Sequence, residues 1–195
     1  MSTTETLNET LEALAQELNL DLSSLSPETH NLGQTNHRYL RDLRTNISNG
    51  LKYSNLSRKE ALLIVLATSL NMGHRPLSAA LTELATQAGT TAEELAEVTA
   101  VTSLMGVNNV LYRFRHFAER DYYNNTPAGI KMNIMMNPVL GKEFFELLSL
   151  VISAINGCEV CVRSHEESVR HLGSSEARIY DAIRLGAMAR GLIVL

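Results

Sequence analysis

The chain has 195 residues, a hydrophobic fraction of 45%, two cysteines and no tryptophan. That length and apolar content suit one domain spanning residues 1–195 that builds its own core without covalent staples. A formal net charge of −4 with no block of Lys and Arg excludes an extended nucleic-acid surface, and no apolar run reaches the roughly 18 residues of a transmembrane helix.

Long Leu/Ala/Glu-rich stretches with modest Gly and Pro point to an all-α fold. Residues 4–19 set Leu7, Leu11, Leu14 and Leu18 on one stripe and predict an amphipathic helix. This acidic start lacks the basic region, apolar run and cleavage site of a secretory signal, so a cytoplasmic protein is expected. Ser26-Pro27-Glu28 is a helix start with proline in the first turn. Further N-terminal helical sequence runs to about residue 56. Ser57 with Glu60, and Thr91 with Glu94, are capping-box patterns that open helices. Pro76 fits the first turn of a helix after "NMGHRP". The pattern from residue 92 is clean to 105 and weaker to about 120. "DYYNNTPAG" reads as a loop and "MNIMMNPVLGK" as a short helix ended before Pro138. Residues 142–155, 158–171 and 175–192 read as three final helices.

A shift of 84 residues superposes Ser69 on Ser153, Gly73 on Gly157, Glu83 on Glu167 and Gly89 on Gly173. This predicts an internal duplication, with halves at about 57–120 and 141–195. His74 and Leu77 then stand where the other copy has Cys158 and Cys161.

The chemistry concentrates in "AINGCEVCVRSHEESVRHLG". Asn156-Gly157 should end one helix and let another begin near Cys158. A first helical turn offers unpaired N–H groups and the positive end of the dipole, which favour a thiolate. Cys158 and Cys161 share a face, with His165 one turn on. Glu146 interrupts the apolar "FFELLSLVISAI", and burial there would make it a proton carrier near neutrality. In a reducing compartment a CxxC pair serves redox catalysis or metal binding more often than structure. His171 lies about 15 Å beyond Cys161 by helical rise and cannot close one tetrahedral site. A zinc site on Cys158, Cys161 and His165 would need an outside ligand, and inert core thiols are the third reading. Val162 in place of a histidine excludes the usual covalent haem attachment. His116, beside Arg113 and Arg115, reads as part of a basic solvent face or an ion-paired interface. The methionines of "KMNIMMNP" read as core, subunit contact or the lining of an opening to the thiols. His74 reads as a cap or surface residue.

Two stretches carry a family resemblance. "MGVNNVLYRFRHFAERDYYNNTPAGIKMNIMMNP" and "FELLSLVISAINGCEVCVRSHEESVRHLG", over roughly residues 104–173, resemble the alkyl hydroperoxidase AhpD family of the carboxymuconolactone decarboxylase-like superfamily. The resemblance implies an all-helical fold built from a duplicated unit and assembled as a homotrimer. It implies a thiol peroxidase that reduces organic hydroperoxides. Dihydrolipoamide on a lipoyl-bearing acyltransferase would restore the dithiol, and electrons could pass to the peroxiredoxin AhpC. By position, Cys161 matches the peroxide-attacking thiol that becomes a sulfenic acid. Cys158 matches the proton donor that then closes the disulfide, and His165 and Glu146 match the proton relay. No bound cofactor or metal is implied. Members of this type often carry a histidine where this chain has Val160, which implies a relay that is shorter, water-mediated or slower. The alternatives are a disulfide-exchange adaptor without peroxidase activity and a CxxC/His metal-binding interaction module.

Overall fold

A computed structural model describes residues 9–195. The described residues form ten α-helices and no strand, so the all-α expectation holds. In chain order they are α1 (Glu9–Glu17), α2 (Pro27–Gln34), α3 (Arg38–Gly50), α4 (Arg58–Met72), α5 (Arg75–Gln87), α6 (Ala92–Ala118), α7 (Asp121–Asn125), α8 (Lys142–Ile155), α9 (Glu159–His171) and α10 (Glu176–Ile193). Leu11, Leu14 and Leu18 of the first stripe are buried; residues 4–8 of that predicted helix lie outside the described residues.

The caps act where the sequence placed them. Ser26 accepts from the Thr29 amide, and Ser57–Glu60 and Thr91–Glu94 form reciprocal capping boxes. Two expectations fail. "DYYNN" is helical as α7, a single turn with Asp121 at its positive end. "MNIMMNP" holds only the 3₁₀ turn Asn133–Met135, closed by Met135 N–H to Met132 O and Met136 N–H to Asn133 O. Pro138 disfavours helical backbone just before it and leaves no room for a full α-turn. The pattern read from residue 92 to about 120 holds, since α6 runs unbroken from Ala92 to Ala118.

α4 and α8 form the centre. Every residue from 61 to 69 is buried in α4, and α8 is buried from 144 to 153 except at Glu146. Each large aliphatic side chain so buried contributes about 1.5–3 kcal/mol. α10 packs across α3, α4 and α8. It comes so close to α8 that a Cβ on Gly186 would stand 2.5 Å from Val151 Cγ1.

The duplication extends to single residues. α4, α5 and α6 start at 58, 75 and 92; α8, α9 and α10 start at 142, 159 and 176. Each pair is offset by the 84 residues read from the sequence. Gly73 and Gly157 both take the left-handed conformation after the central helices, with φ of 73° and 69°. An ion pair repeats with its charges exchanged. Lys59 on α4 meets Glu94 on α6 at 2.5 Å, and at the same offset Glu143 on α8 meets Arg178 on α10 at 2.9 Å. Arg178 also reaches Glu60 at 2.5 Å and the Asn55 carbonyl at 2.8 Å.

Candidate active site

The end of α8 delivers the dithiol. Gly157 N–H bonds the Ala154 carbonyl and Cys158 N–H bonds the Ser153 carbonyl, a left-handed turn that glycine closes without a Cβ penalty. Cys158 therefore lands at the N-cap of α9 and Cys161 in its first turn. The two are joined as a disulfide with Cα atoms 5.3 Å apart. In the other copy His74 occupies the matching N-cap, and its Nδ1 accepts from the Leu77 amide at 3.1 Å. Cys158 makes no such bond. The first-turn amides of α9 are thus left uncapped by any side chain and can stabilise a thiolate in the reduced state.

Packing of α8 on α9 brings Glu146 to His165, with Oε2 and Nδ1 2.7 Å apart and both side chains largely buried. Nδ1 is committed to the carboxylate, which leaves Nε2 for the space beyond. That space is a cavity of about 320 Å³ whose wall includes Cys161, His165, Val160, Asn108 and Met132. Cys158 is fully buried and does not line it. A second cavity of about 310 Å³ shares Met135 with the first and is lined by Glu146, Lys142 and His171. The Glu146–His165 pair therefore connects two openings. All four residues picked from the sequence meet in one place, and His171 stands apart on the second cavity. Among the described residues no three His, Cys, Asp or Glu side chains are grouped to hold a metal ion.

A part-buried amide network lies behind the dithiol. Asn156 accepts from Asn71 Nδ2 at 2.9 Å and donates to Asn109 Oδ1 at 2.9 Å. Asn109 in turn donates to Ser153 Oγ at 2.9 Å, and Arg113 donates to the Asn156 carbonyl at 2.5 Å. Arg113 is thus a strut under the thiol turn rather than part of a basic face, whereas His116 does form an exposed pair with Glu159 at 3.4 Å. Glu97 is buried on α6 and accepts from the amides of Val139 and Leu140 at 2.7 and 2.6 Å. It ties down the methionine segment that lines both cavities. Sequence showed the Asn-Gly break but gave no signal for these partners, which lie about 40 to 85 residues away.

The family model for the carboxymuconolactone decarboxylase family matches the chain twice, at residues 39–120 and 123–194. The two matches start 84 residues apart. The chain is 35% identical over 154 residues to the alkyl hydroperoxide reductase AhpD of Anaeromyxobacter dehalogenans strain 2CP-C, covering 79% of this chain and 82% of that protein. The chain belongs to the AhpD family. It is also 37% identical over 153 residues to the AhpD of Rhizorhabdus wittichii, covering 78% of this chain and 87% of the relative. Against the AhpD of Coxiella burnetii strain Dugway 5J108-111 it is 34% identical over 157 residues, covering 79% and 88%.

Within this AhpD-family chain, Val160 sits at the mouth between the thiol cavity and a neighbouring depression that includes His116. Val107, Val110, Phe114 and Phe117 form an exposed apolar stripe on α6. Among the described residues no helix is long and apolar enough to cross a membrane.

Proposed function

We propose that the chain reduces organic hydroperoxides through a dithiol–disulfide cycle at Cys161 and Cys158. The carrying observation is the shared cavity: Cys161 and a carboxylate-backed His165 both line it, while Cys158 does not. The names of the AhpD relatives, alkyl hydroperoxide reductases, support the same substrate class. The Cys161 thiolate attacks the terminal peroxide oxygen. An S–O bond forms, the O–O bond breaks, and the electron pair leaves on the alkoxide. His165, held by Glu146, supplies the proton that makes the alcohol. The Cys158 thiol then attacks the Cys161 sulfenic acid, its proton passes to the departing hydroxyl, and water leaves as the disulfide closes.

Dihydrolipoamide is the proposed reductant, giving its two thiol hydrogens and leaving as the cyclic disulfide. A lipoyl-bearing acyltransferase would present it, and AhpC would be a downstream electron acceptor in a reducing, cytoplasmic compartment. The apolar stripe on α6 supports self-association, with a trimer as the proposed assembly. The test is consumption of tert-butyl hydroperoxide with dihydrolipoamide as sole reductant. Cys161→Ser should abolish turnover, and full activity in that variant would overturn the assignment.

A further inference from the structure

Among the described residues lining the thiol cavity, one buried side-chain oxygen has no partner. Asn108 is 5% exposed on α6 and lines the cavity with Cys161 and His165. Its Nδ2 donates to the thioether of Met132 at 3.3 Å, and its Oδ1 is buried with no partner. Turning the amide over would set Oδ1 against sulfur and orphan Nδ2 instead, so one end stays unsatisfied in either orientation. An unmatched buried amide costs stability, and a leucine of similar size would avoid that cost. The neighbouring Asn109 makes the contrast: it is equally buried, and both ends of its amide are bonded, to Ser153 and Asn156.

We infer that Asn108 is the hydroperoxide-binding residue of the cavity, its Oδ1 accepting the O–H of the terminal peroxide oxygen. This rests on the peroxidase reading above. A hydroperoxide carries one donor, the hydrogen on the oxygen that Cys161 attacks. An acceptor fixed there directs that oxygen toward the sulfur and turns the alkoxide side toward His165 Nε2, with the alkyl group left against Met132 and Met135. The transferred oxygen keeps its hydrogen, so the same bond passes from substrate to the Cys161 sulfenic acid. Asn108 thereby supplies positioning from a wall where Val160 offers no polar atom.

The test uses reduced full-length protein and two probes, tert-butyl hydroperoxide and dithiodipyridine, with Asn108→Leu and Asn108→Ala. Loss of one directed hydrogen bond should slow thiol oxidation by hydroperoxide about tenfold or more in both variants, while thiol exchange with the disulfide probe stays within about twofold of native. The melting temperature of the leucine variant should equal or exceed that of native protein. An unchanged hydroperoxide rate overturns the inference. So does equal slowing with both probes, which marks a structural role. Native protein that reacts with dithiodipyridine but not with hydroperoxide overturns the peroxidase reading itself, and this inference with it.

Discussion

Asn156→Ala tests whether the amide network behind the thiols carries real energy. The substitution deletes the bonds to Asn71 at 2.9 and 3.3 Å and the bond to Asn109 at 2.9 Å. Asn71 is only half-buried and can turn to water, so its loss is about 1 kcal/mol. Asn109 is 1% exposed, and its stranded Oδ1 adds about 2 kcal/mol. The expected cost is about 3 kcal/mol, or a fall of roughly 6–12 °C in melting temperature for a domain of this size. Urea unfolding of the oxidised protein measures it, with Asn71→Ala as the partner variant at about 1 kcal/mol. A cost within about 0.5 kcal/mol of zero for Asn156→Ala would refute the reasoning. Equal costs for the two variants would also do so, because burial then would not rank the bonds.

Glu146→Gln keeps a hydrogen bond to His165 but removes the charge, and should slow hydroperoxide turnover about tenfold to a hundredfold in a peroxide-consumption assay. Val160→His should accelerate the same turnover and leave exchange with dithiodipyridine unchanged; no gain would mean the existing pair already delivers the proton fast enough. Gly186→Ala drives a Cβ into Val151 and should destabilise by about 1–2 kcal/mol after the helix-propensity gain, with Val151→Ala restoring the fit. Burial alone would raise Glu60, but the hydrogen bond and charge of Arg178 and the Ser57 hydrogen bonds outweigh it and hold the carboxyl below 4.5. A carboxyl acidified by folding contributes in full above its unfolded value and loses that contribution as pH falls through the lower folded one. Urea midpoints should therefore drop below about pH 4.5, and less steeply in Arg178→Met.

Local chemistry made much of this molecule readable. Ser57, Thr91 and Pro76 mark helix starts through hydrogen bonds and ring constraints that act within four residues. Gly73 and Gly157 betrayed the repeat because only a left-handed turn ties glycine to the same offset in both copies. Cys158, Cys161 and His165 were legible because they lie within seven residues, on one helix and its N-cap. Glu146 stood out as the break in a buried run, although only the packing of α8 on α9 gives it a partner. The two asparagines of α6 escaped notice. Asn108 and Asn109 are adjacent and identical in type, yet one is satisfied and the other is not, and that difference lies in distant helices.

The exchanged ion pairs bear on how two similar halves avoid mistaking each other during folding. The repeated helices share starts and much of their apolar character, so each has a near-double to pack against wrongly. If α6 docked on α8 in the register it uses on α4, Glu94 would face Glu143. If α10 took the place of α6 on α4, Arg178 would face Lys59. Both errors set like charges together in a partly buried setting, where repulsion is screened less than at the surface. The reversed polarity therefore marks the register rather than the partner: α6 and α10 each touch both central helices, and an exchange of their places would replace two attractions by two repulsions.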